Sequence, residues 1–178
     1  TIDDKLFTWG RDSKVGNGAI PYEIKEVEAY KWLEEYNGTF YAITEDNRLY
    51  VWGDNEYGQV GNGKSGKDEK QTTPYEIKEV GKVKSIKVYE YKYADEYAID
   101  EYAITVYAIT EDDRLYAWGY NIQNTPYEFK EIGKIKSFEE KEGNFYLSTI
   151  DDRLFTWGKD GKVGNGAIPY EIKEVEAY

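Results

Sequence analysis

The run Tyr41-Ala-Ile-Thr-Glu-Asp-Asn-Arg-Leu-Tyr-Val-Trp-Gly53 decides the fold. Phe40 to Thr44 and Leu49 to Trp52 are short β-branched and aromatic runs on either side of Glu45-Asp46-Asn47-Arg48, a combination that reads as a hairpin. In Leu49-Tyr50-Val51-Trp52 both alternate sets are apolar, as expected of a strand whose sheet is packed on both faces. Two more strands are expected over Tyr75 to Val80 and Val83 to Val88, making each unit a four-stranded antiparallel sheet. Pro74, at the start of a Pro-Tyr-Glu strand, fits an edge position, where its missing donor does least harm.

The hairpin recurs. Thr1-Ile-Asp-Asp-Lys-Leu-Phe-Thr-Trp-Gly10, Thr110-Glu-Asp-Asp-Arg-Leu-Tyr-Ala-Trp-Gly119 and Thr149-Ile-Asp-Asp-Arg-Leu-Phe-Thr-Trp-Gly158 repeat Thr44 to Gly53. Each copy is followed by Pro-Tyr-Glu, at Pro21, Pro74, Pro126 and Pro169, at intervals of 53, 52 and 43 residues. That period is typical of propeller blades. The fold expected is an all-β, β-propeller-type repeat with about three four-stranded antiparallel blades plus a half blade. Its units run over about 1–30 (the half blade), 31–80, 81–132 and 133–178. Residues 1–30 and 149–178 differ only at Lys5/Arg153, Arg11/Lys159 and Ser13/Gly161, so the chain reads as a window on a longer array or as a subunit that associates through its ends.

The run from Tyr41 to Gly53, then Asp54-Asn-Glu-Tyr-Gly-Gln-Val-Gly-Asn-Gly63 and Thr73-Pro-Tyr-Glu-Ile77, resembles a full repeat of the regulator of chromosome condensation family. One full repeat and three shorter or partial ones cover nearly the whole chain. The resemblance implies a β-propeller, usually of seven blades, and a role in protein interaction. Relatives in that family include a Ran exchange factor that binds chromatin, a plant ultraviolet photoreceptor and a bacterial β-lactamase inhibitor, and the residues peculiar to those activities are not found here. The third copy, Tyr120-Asn-Ile-Gln-Asn124, departs from the family by losing the Gly-Gln-Val-Gly-Asn-Gly loop.

Composition narrows the function. The 178 residues hold 23 basic and 35 acidic side chains, a net charge of −12, with no Cys, His or Met. Thiolate nucleophiles, Cys-rich zinc sites, the commonest general base and the commonest metal ligand are therefore missing. The negative charge disfavours phosphate backbones and anionic lipids, whose binding needs a clustered basic surface, so neither nucleic acid nor membrane is an expected partner. No run approaches 18 consecutive apolar residues. Aromatic residues reach 17%, which argues against disorder. Thr1 in place of an initiator Met fits processing or excision from a longer chain, and Lys in excess of Arg fits an AT-rich bacterial genome or an artificial sequence. The localisation expected is secreted or cell-surface bacterial.

The acid pairs Asp3-Asp4, Asp112-Asp113 and Asp151-Asp152 fall at hairpin turns, where Asp and Asn bond the local backbone and tolerate left-handed dihedrals. A glycosidase needs two carboxyls facing across a cleft, so no catalytic residue is assigned and the protein is read as a non-enzyme. Asp54, Asn55, Glu56 and Asp160 carry oxygen donors suited to Ca²⁺ but match no EF-hand loop. No metal or cofactor is expected. The Gly-Asn-Gly runs at Gly16, Gly61 and Gly164 open no expected helix, as a phosphate loop would, and read as turns with positive φ. Trp9, Trp52, Trp118 and Trp157, with Gly10, Gly53, Gly119 and Gly158, read as the structural repeat core.

Residues 89–110 carry Tyr97-Ala-Ile99, Tyr102-Ala-Ile104 and Tyr107-Ala-Ile109 at five-residue spacing, so successive motifs fall on opposite sheet faces. Only Val106 to Thr110 matches the hairpin strand, and the remainder reads as a surface loop, either a partner-binding protrusion or a tolerated duplication. The spacing varies from 22 positions from Trp52 to Pro74 to 8 from Trp118 to Pro126, and variable loops on a rigid frame are where specificity resides. The partner-binding residues expected are Trp32, Tyr36, Asp54, Asn55, Glu56, Tyr57, Gln59, Tyr120 and Asn121. The function expected is a protein-interaction scaffold, self-associating or part of a longer array. The alternative is an assembly subunit, a ring or filament component whose only ligand is itself.

Overall fold

A computed structural model describes residues 5–8, 22–27, 29–94, 100–158 and 166–173. Strands β1 (Leu6–Thr8) and β2 (Tyr22–Ile24) pair as a half blade. Blade I consists of β3 (Tyr30–Tyr36), β4 (Thr39–Thr44), β5 (Leu49–Gly53) and β6 (Gln71–Glu76), in that spatial order. Blade II consists of β7 (Val83–Ala94), β8 (Asp100–Thr110), β9 (Leu115–Gly119) and β10 (Tyr127–Glu128), and blade III of β11 (Ile135–Lys141), β12 (Asn144–Thr149), β13 (Leu154–Gly158) and β14 (Gly166–Glu171). All pairings are antiparallel. The fold is the all-β array of three four-stranded blades and a half blade expected from the repeat.

The repeated hairpin closes the same way in each full blade. The amides of Thr44, Thr110 and Thr149 donate to the carbonyls of Arg48, Arg114 and Arg153 at 3.0–3.1 Å. Asn47, Asp113 and Asp152 take left-handed φ values of 69°, 63° and 62°, which a short polar side chain tolerates better than most. The Trp-Gly pair that ends each hairpin has an equally local cause. Gly53, Gly119 and Gly158 have φ of 111°, 97° and 131°, and a Cβ there would collide with the carbonyl oxygen of Gly38 just before β4, of Ile104 on β8 or of Gly143 just before β12, respectively.

Each central strand of blades I and II feeds two cores. Tyr41, Ile43, Leu49, Val51, Ile77 and Val80 of blade I pack with Ile104, Val106, Ala108, Tyr116 and Trp118 of blade II. The other face of blade II sends Tyr107, Ile109, Leu115, Phe129 and Ile132 against Phe145, Leu147, Phe155 and Trp157 of blade III. The half blade repeats the scheme in miniature: Leu6, Ile24 and Val27 pack on Ala42, Tyr50 and Trp52. A leading face rich in Leu, Ile and Val thus meets a trailing face built on an aromatic-x-Trp pair. Burying one such aliphatic side chain is worth about 1.5–3 kcal/mol, so the array holds together face to face.

Three boundaries differ from the sequence expectation. β6 begins at Gln71 and ends at Glu76, and Lys78–Val80 form a 3-10 turn that drops Val80 into the core instead of continuing the strand. Pro74 lies inside this edge strand, where the register slips between the Val51 and Gly53 pairings. Residues 89–94 and 100–105 are strand, extending β7 and β8 into a long hairpin paired from Val83↔Thr110 out to Ala94↔Asp100. The Tyr-Ala-Ile spacing has its expected effect within β8: Ile104 joins the core shared with blade I, whereas Tyr107 and Ile109 face blade III. Continuous antiparallel pairing with β7 is what makes these residues strand. Tyr97 to Ile99, like Trp9 and Gly10, lie outside the described residues.

Trp118 is fully buried at the meeting of blades I and II. Trp118→Ala is expected to cost about 3–5 kcal/mol in urea unfolding followed by circular dichroism, and a loss below about 1 kcal/mol would contradict this packing.

Candidate interaction surface

The loop between β5 and β6 is held by its own buried amides. Asn55 is buried, its Nδ2 donating to Asn62 Oδ1 at 3.1 Å and the Lys64 carbonyl at 2.9 Å, while its Oδ1 accepts from Val60 N at 3.0 Å. Gln59 is likewise buried. Its Oε1 accepts from Tyr57 N at 2.8 Å and its Nε2 donates to Thr39 Oγ1 at 3.3 Å. The Gln59 carbonyl accepts the Trp118 indole N–H at 3.0 Å, so the loop of blade I is fastened to the core Trp of blade II. A buried amide satisfied in this way rigidifies its surroundings, since an unmade bond there costs about 1–3 kcal/mol.

Glycines let the loop come this close. Gly61 has φ +80° and a Cβ there would lie 2.9 Å from Trp118 Nε1; a Cβ on Gly58 would lie 2.6 Å from Asn124 Cβ. Asn124 belongs to the shortened loop of blade II. Its side-chain Nδ2 donates to the Gly63 carbonyl at 2.9 Å, and Gly63 N donates back to its carbonyl at 2.8 Å. The long loop of blade I thus bonds directly to the shortened loop of blade II.

A joint surface results. A cavity of about 270 Å³ opens among Asn37, Asp54, Glu56, Tyr57, Lys67, Lys70 and Tyr102, with Asn55 and Gln59 in its wall. Its charges pair locally, Lys67 with Glu56 at 3.4 Å and Lys70 with Asp54 at 3.2 Å. Tyr57 meets Tyr120 edge-on at 5.6 Å, Tyr120 lies 5.6 Å from Tyr91, and Tyr91 packs edge-on against Tyr89 at 4.5 Å. Burial pushes the Tyr91 phenol up to about 12, so it stays neutral at physiological pH. The long β7–β8 hairpin places Tyr102 in this cavity, and Asn37 Nδ2 donates to the Tyr102 carbonyl at 3.3 Å. Sequence reasoning missed Tyr91, Tyr102, Lys67 and Lys70, although the five-residue Tyr spacing marked the segment that carries the two tyrosines.

The expected binding residues divide by position. Asp54, Glu56, Tyr57 and Tyr120 share one surface and are half-buried, and Asn121 is exposed next to it with φ 61°. Asn55 and Gln59 shape the loop from within. Trp32 and Tyr36 lie on β3, half-buried against the core between blades I and II. Trp52, Trp118 and Trp157 are buried, while Asp160 lies outside the described residues. Among the described residues, no three acidic side chains converge as a metal site would require, and no helix is long and apolar enough to cross a membrane.

The turn carboxylates are held as anions. The Thr44 hydroxyl donates to Asp46 at 2.6 Å and Arg48 lies 2.9 Å away; these contacts hold the Asp46 carboxyl down to about 2. Thr110 beside Asp112 and Thr149 beside Asp151 lower those carboxyls in the same way, ahead of their Arg neighbours. A general acid needs a raised pKa, and these turns do the opposite.

Residues 46–89 match the family model described as Regulator of chromosome condensation (RCC1) repeat. The chain is 28% identical over 130 residues to the human E3 ubiquitin-protein ligase HERC2, an alignment spanning 67% of this chain and 2% of HERC2. It is 32% identical over 76 residues to the Protein RCC2 homolog of Xenopus laevis, covering 35% of this chain and 14% of that protein. Among solved structures, Prp20p from Saccharomyces cerevisiae superposes with a TM-score of 0.62 at 17% identity, over 96% of this chain and 47% of that one. Human WBSCR16 superposes with a TM-score of 0.59 at 17% identity, over 98% of this chain and 50% of its own. The chain carries the regulator of chromosome condensation repeat in a propeller-type fold, and it spans a small part of the curated relatives and about half of the solved chains.

Two outcomes follow from this geometry. Gly61→Ala is expected to lose about 1–3 kcal/mol and to open the 54–70 loop to limited proteolysis, with the rest of the chain protected. Because the Asp46 carboxyl titrates lower folded than unfolded, its stabilisation is complete above the ordinary carboxylate range and is lost as pH falls toward about 2. Melting temperature should therefore drop between about pH 4 and pH 2, and Asp46→Asn should flatten part of that drop.

Proposed function

On a chain built from this repeat, we propose a non-enzymatic scaffold that binds another protein through the surface shared by the 54–70 loop of blade I and the short loop of blade II. The array is taken as units over about 1–30, 31–80, 81–132 and 133–178. One observation carries the reading: Gln59, Asn55 and the glycines commit the loop to a single conformation, and that conformation presents Glu56, Tyr57, Tyr120 and Asn121 side by side. Tyrosine at a rigid surface supplies large contact area at low entropic cost. The net charge of −12 favours encounter with a basic partner surface and disfavours phosphate backbones. Proteins of the same fold bind other proteins: Kap60 binds yeast RCC1 (Prp20), and Prp20p has binding properties toward Gsp1p and histones.

A second reading, contact with further blades of another copy or of a longer array, is favoured by the outer sheet face of blade III, which carries exposed Tyr146, Leu154 and Ile172.

The first reading is tested by affinity capture with the wild-type chain and with Glu56→Ala/Tyr57→Ala/Tyr120→Ala. A protein captured by the wild type should be lost at least tenfold from the triple variant, with the sheet spectrum unchanged. Equal capture by both chains would remove the loop surface from the proposal.

A further inference from the structure

The cavity beside the 54–70 loop has fixed acids and movable bases. Asp54 and Glu56 stand at the start of the loop, on either side of Asn55, which is buried and bonded through both ends of its amide. Their side chains are 23% and 33% exposed, against 42% for Lys70 and 71% for Lys67, the ammonium groups that pair with them. Both lysines ride on the exposed stretch 67–70, which follows Gly66 at φ 140°. Asn37 adds a third acceptor, since its Nδ2 is spent on the Tyr102 carbonyl and its Oδ1 is left to accept. Tyr57 and Tyr102 supply aromatic wall. At about 270 Å³ the cavity falls just short of the roughly 300–1,000 Å³ of pockets that enclose a cofactor or drug-sized ligand, so one long side chain is the occupant it fits.

Resting on the loop surface as the protein-binding face, we propose that this cavity is the anchor pocket for an arginine side chain of the partner, whose guanidinium replaces the Lys67 and Lys70 ammonium groups at Glu56 and Asp54. A guanidinium carries five N–H donors in a planar fork and accepts nothing. It can meet two carboxylates and the Asn37 Oδ1 together, and a carboxylate takes it through two parallel bonds. Its flat face also stacks on an aromatic ring, here Tyr57 or Tyr102, and its stem covers apolar wall. An acidic side chain would meet Asp54 and Glu56 as like charges, and an apolar one would leave the acceptors without donors.

The resident lysines act as placeholders and as a filter. Exposed lysine–carboxylate pairs contribute little, because water and salt screen them and two long side chains must be held still. On displacement each ammonium returns to water, and the half-buried carboxylates keep a cation, so no charge is left buried and unpaired. A lysine from the partner would exchange like for like, whereas arginine brings the fork and the stacking face that the residents lack; discrimination against the wrong cation is thereby built into the loop. The net charge of −12 brings basic segments toward this surface.

The test titrates the whole isotope-labelled chain with a blocked Gly-Gly-Arg-Gly-Gly peptide, and with the same peptide carrying lysine or citrulline, following backbone amides by NMR. Arginine should shift amides of the 54–59 and 67–70 segments and bind roughly fivefold or more tightly than lysine, while citrulline, which keeps the shape without the charge, should not bind. Lys67→Ala/Lys70→Ala should tighten the arginine peptide about threefold. Lys84→Ala/Lys136→Ala removes the same charge at the hairpin turns of blades II and III and should leave binding unchanged. Glu56→Gln should weaken it about tenfold with the sheet spectrum intact, and Asp54→Asn takes its place should that spectrum change. Lysine binding as tightly as arginine, equal tightening by both lysine pairs, or no arginine binding would each overturn the anchor. Capture of a protein that still depends on Glu56, Tyr57 and Tyr120 would then leave the loop surface standing, and capture equal in the wild type and the triple variant would remove both.

Discussion

The contact on which the structure depends is that between the Leu, Ile and Val side chains on the leading face of one blade and the aromatic-x-Trp pair on the trailing face of the next. Leu49, Ile77 and Val80 meet Tyr116 and Trp118; Leu115, Phe129 and Ile132 meet Phe155 and Trp157; Leu6, Ile24 and Val27 meet Tyr50 and Trp52. A four-stranded sheet that is apolar on both faces has no stable existence alone, since each face left in water forfeits the burial that offsets the ordering of its backbone. The repeat is therefore also a rule about neighbours.

The loop surface hangs from the same contact. Trp118 belongs to the core of blade II, yet its indole N–H holds the backbone of the blade I loop at Gln59. A residue that reads as pure packing thus also orders the surface, because its buried indole N–H is spent on the loop carbonyl. The glycines follow from that closeness, and Asn124 of the short blade II loop grips Gly63 from the other side. The shape of this surface reflects a difference in loop length between adjacent repeats more than any single residue.

The acid pairs teach a related lesson about look-alike chemistry. Consecutive carboxylates invite a catalytic reading, but the residue that follows Asp46 or Asp112 is turned into the left-handed region to close the hairpin, and the first carboxyl is fixed by a Thr hydroxyl and an Arg two residues on. Their pKa values move down, since every one of these contacts favours the anion. They brace the turn from which both central strands of the blade depart.

Local chemistry written in the chain sufficed for the four-stranded unit, its repeat, the buried Trp positions and the turn role of Asp46-Asn47 and Asp112-Asp113. Strand period, turn residues and Trp-Gly pairs act over a few positions, so they can be read one residue at a time. Tertiary structure alone decided that Asn55 and Gln59 face inward, that residues 89–94 and 100–105 extend the sheet, and that Tyr57, Tyr120 and Tyr102 meet on one surface. Each depends on which blade lies alongside, and a local pattern carries no record of its neighbour. The two copies of Leu-Phe-Thr-Trp make the point most directly: one sequence, with its Leu buried at residue 6 and exposed at residue 154, because burial belongs to the pair of faces and not to the strand.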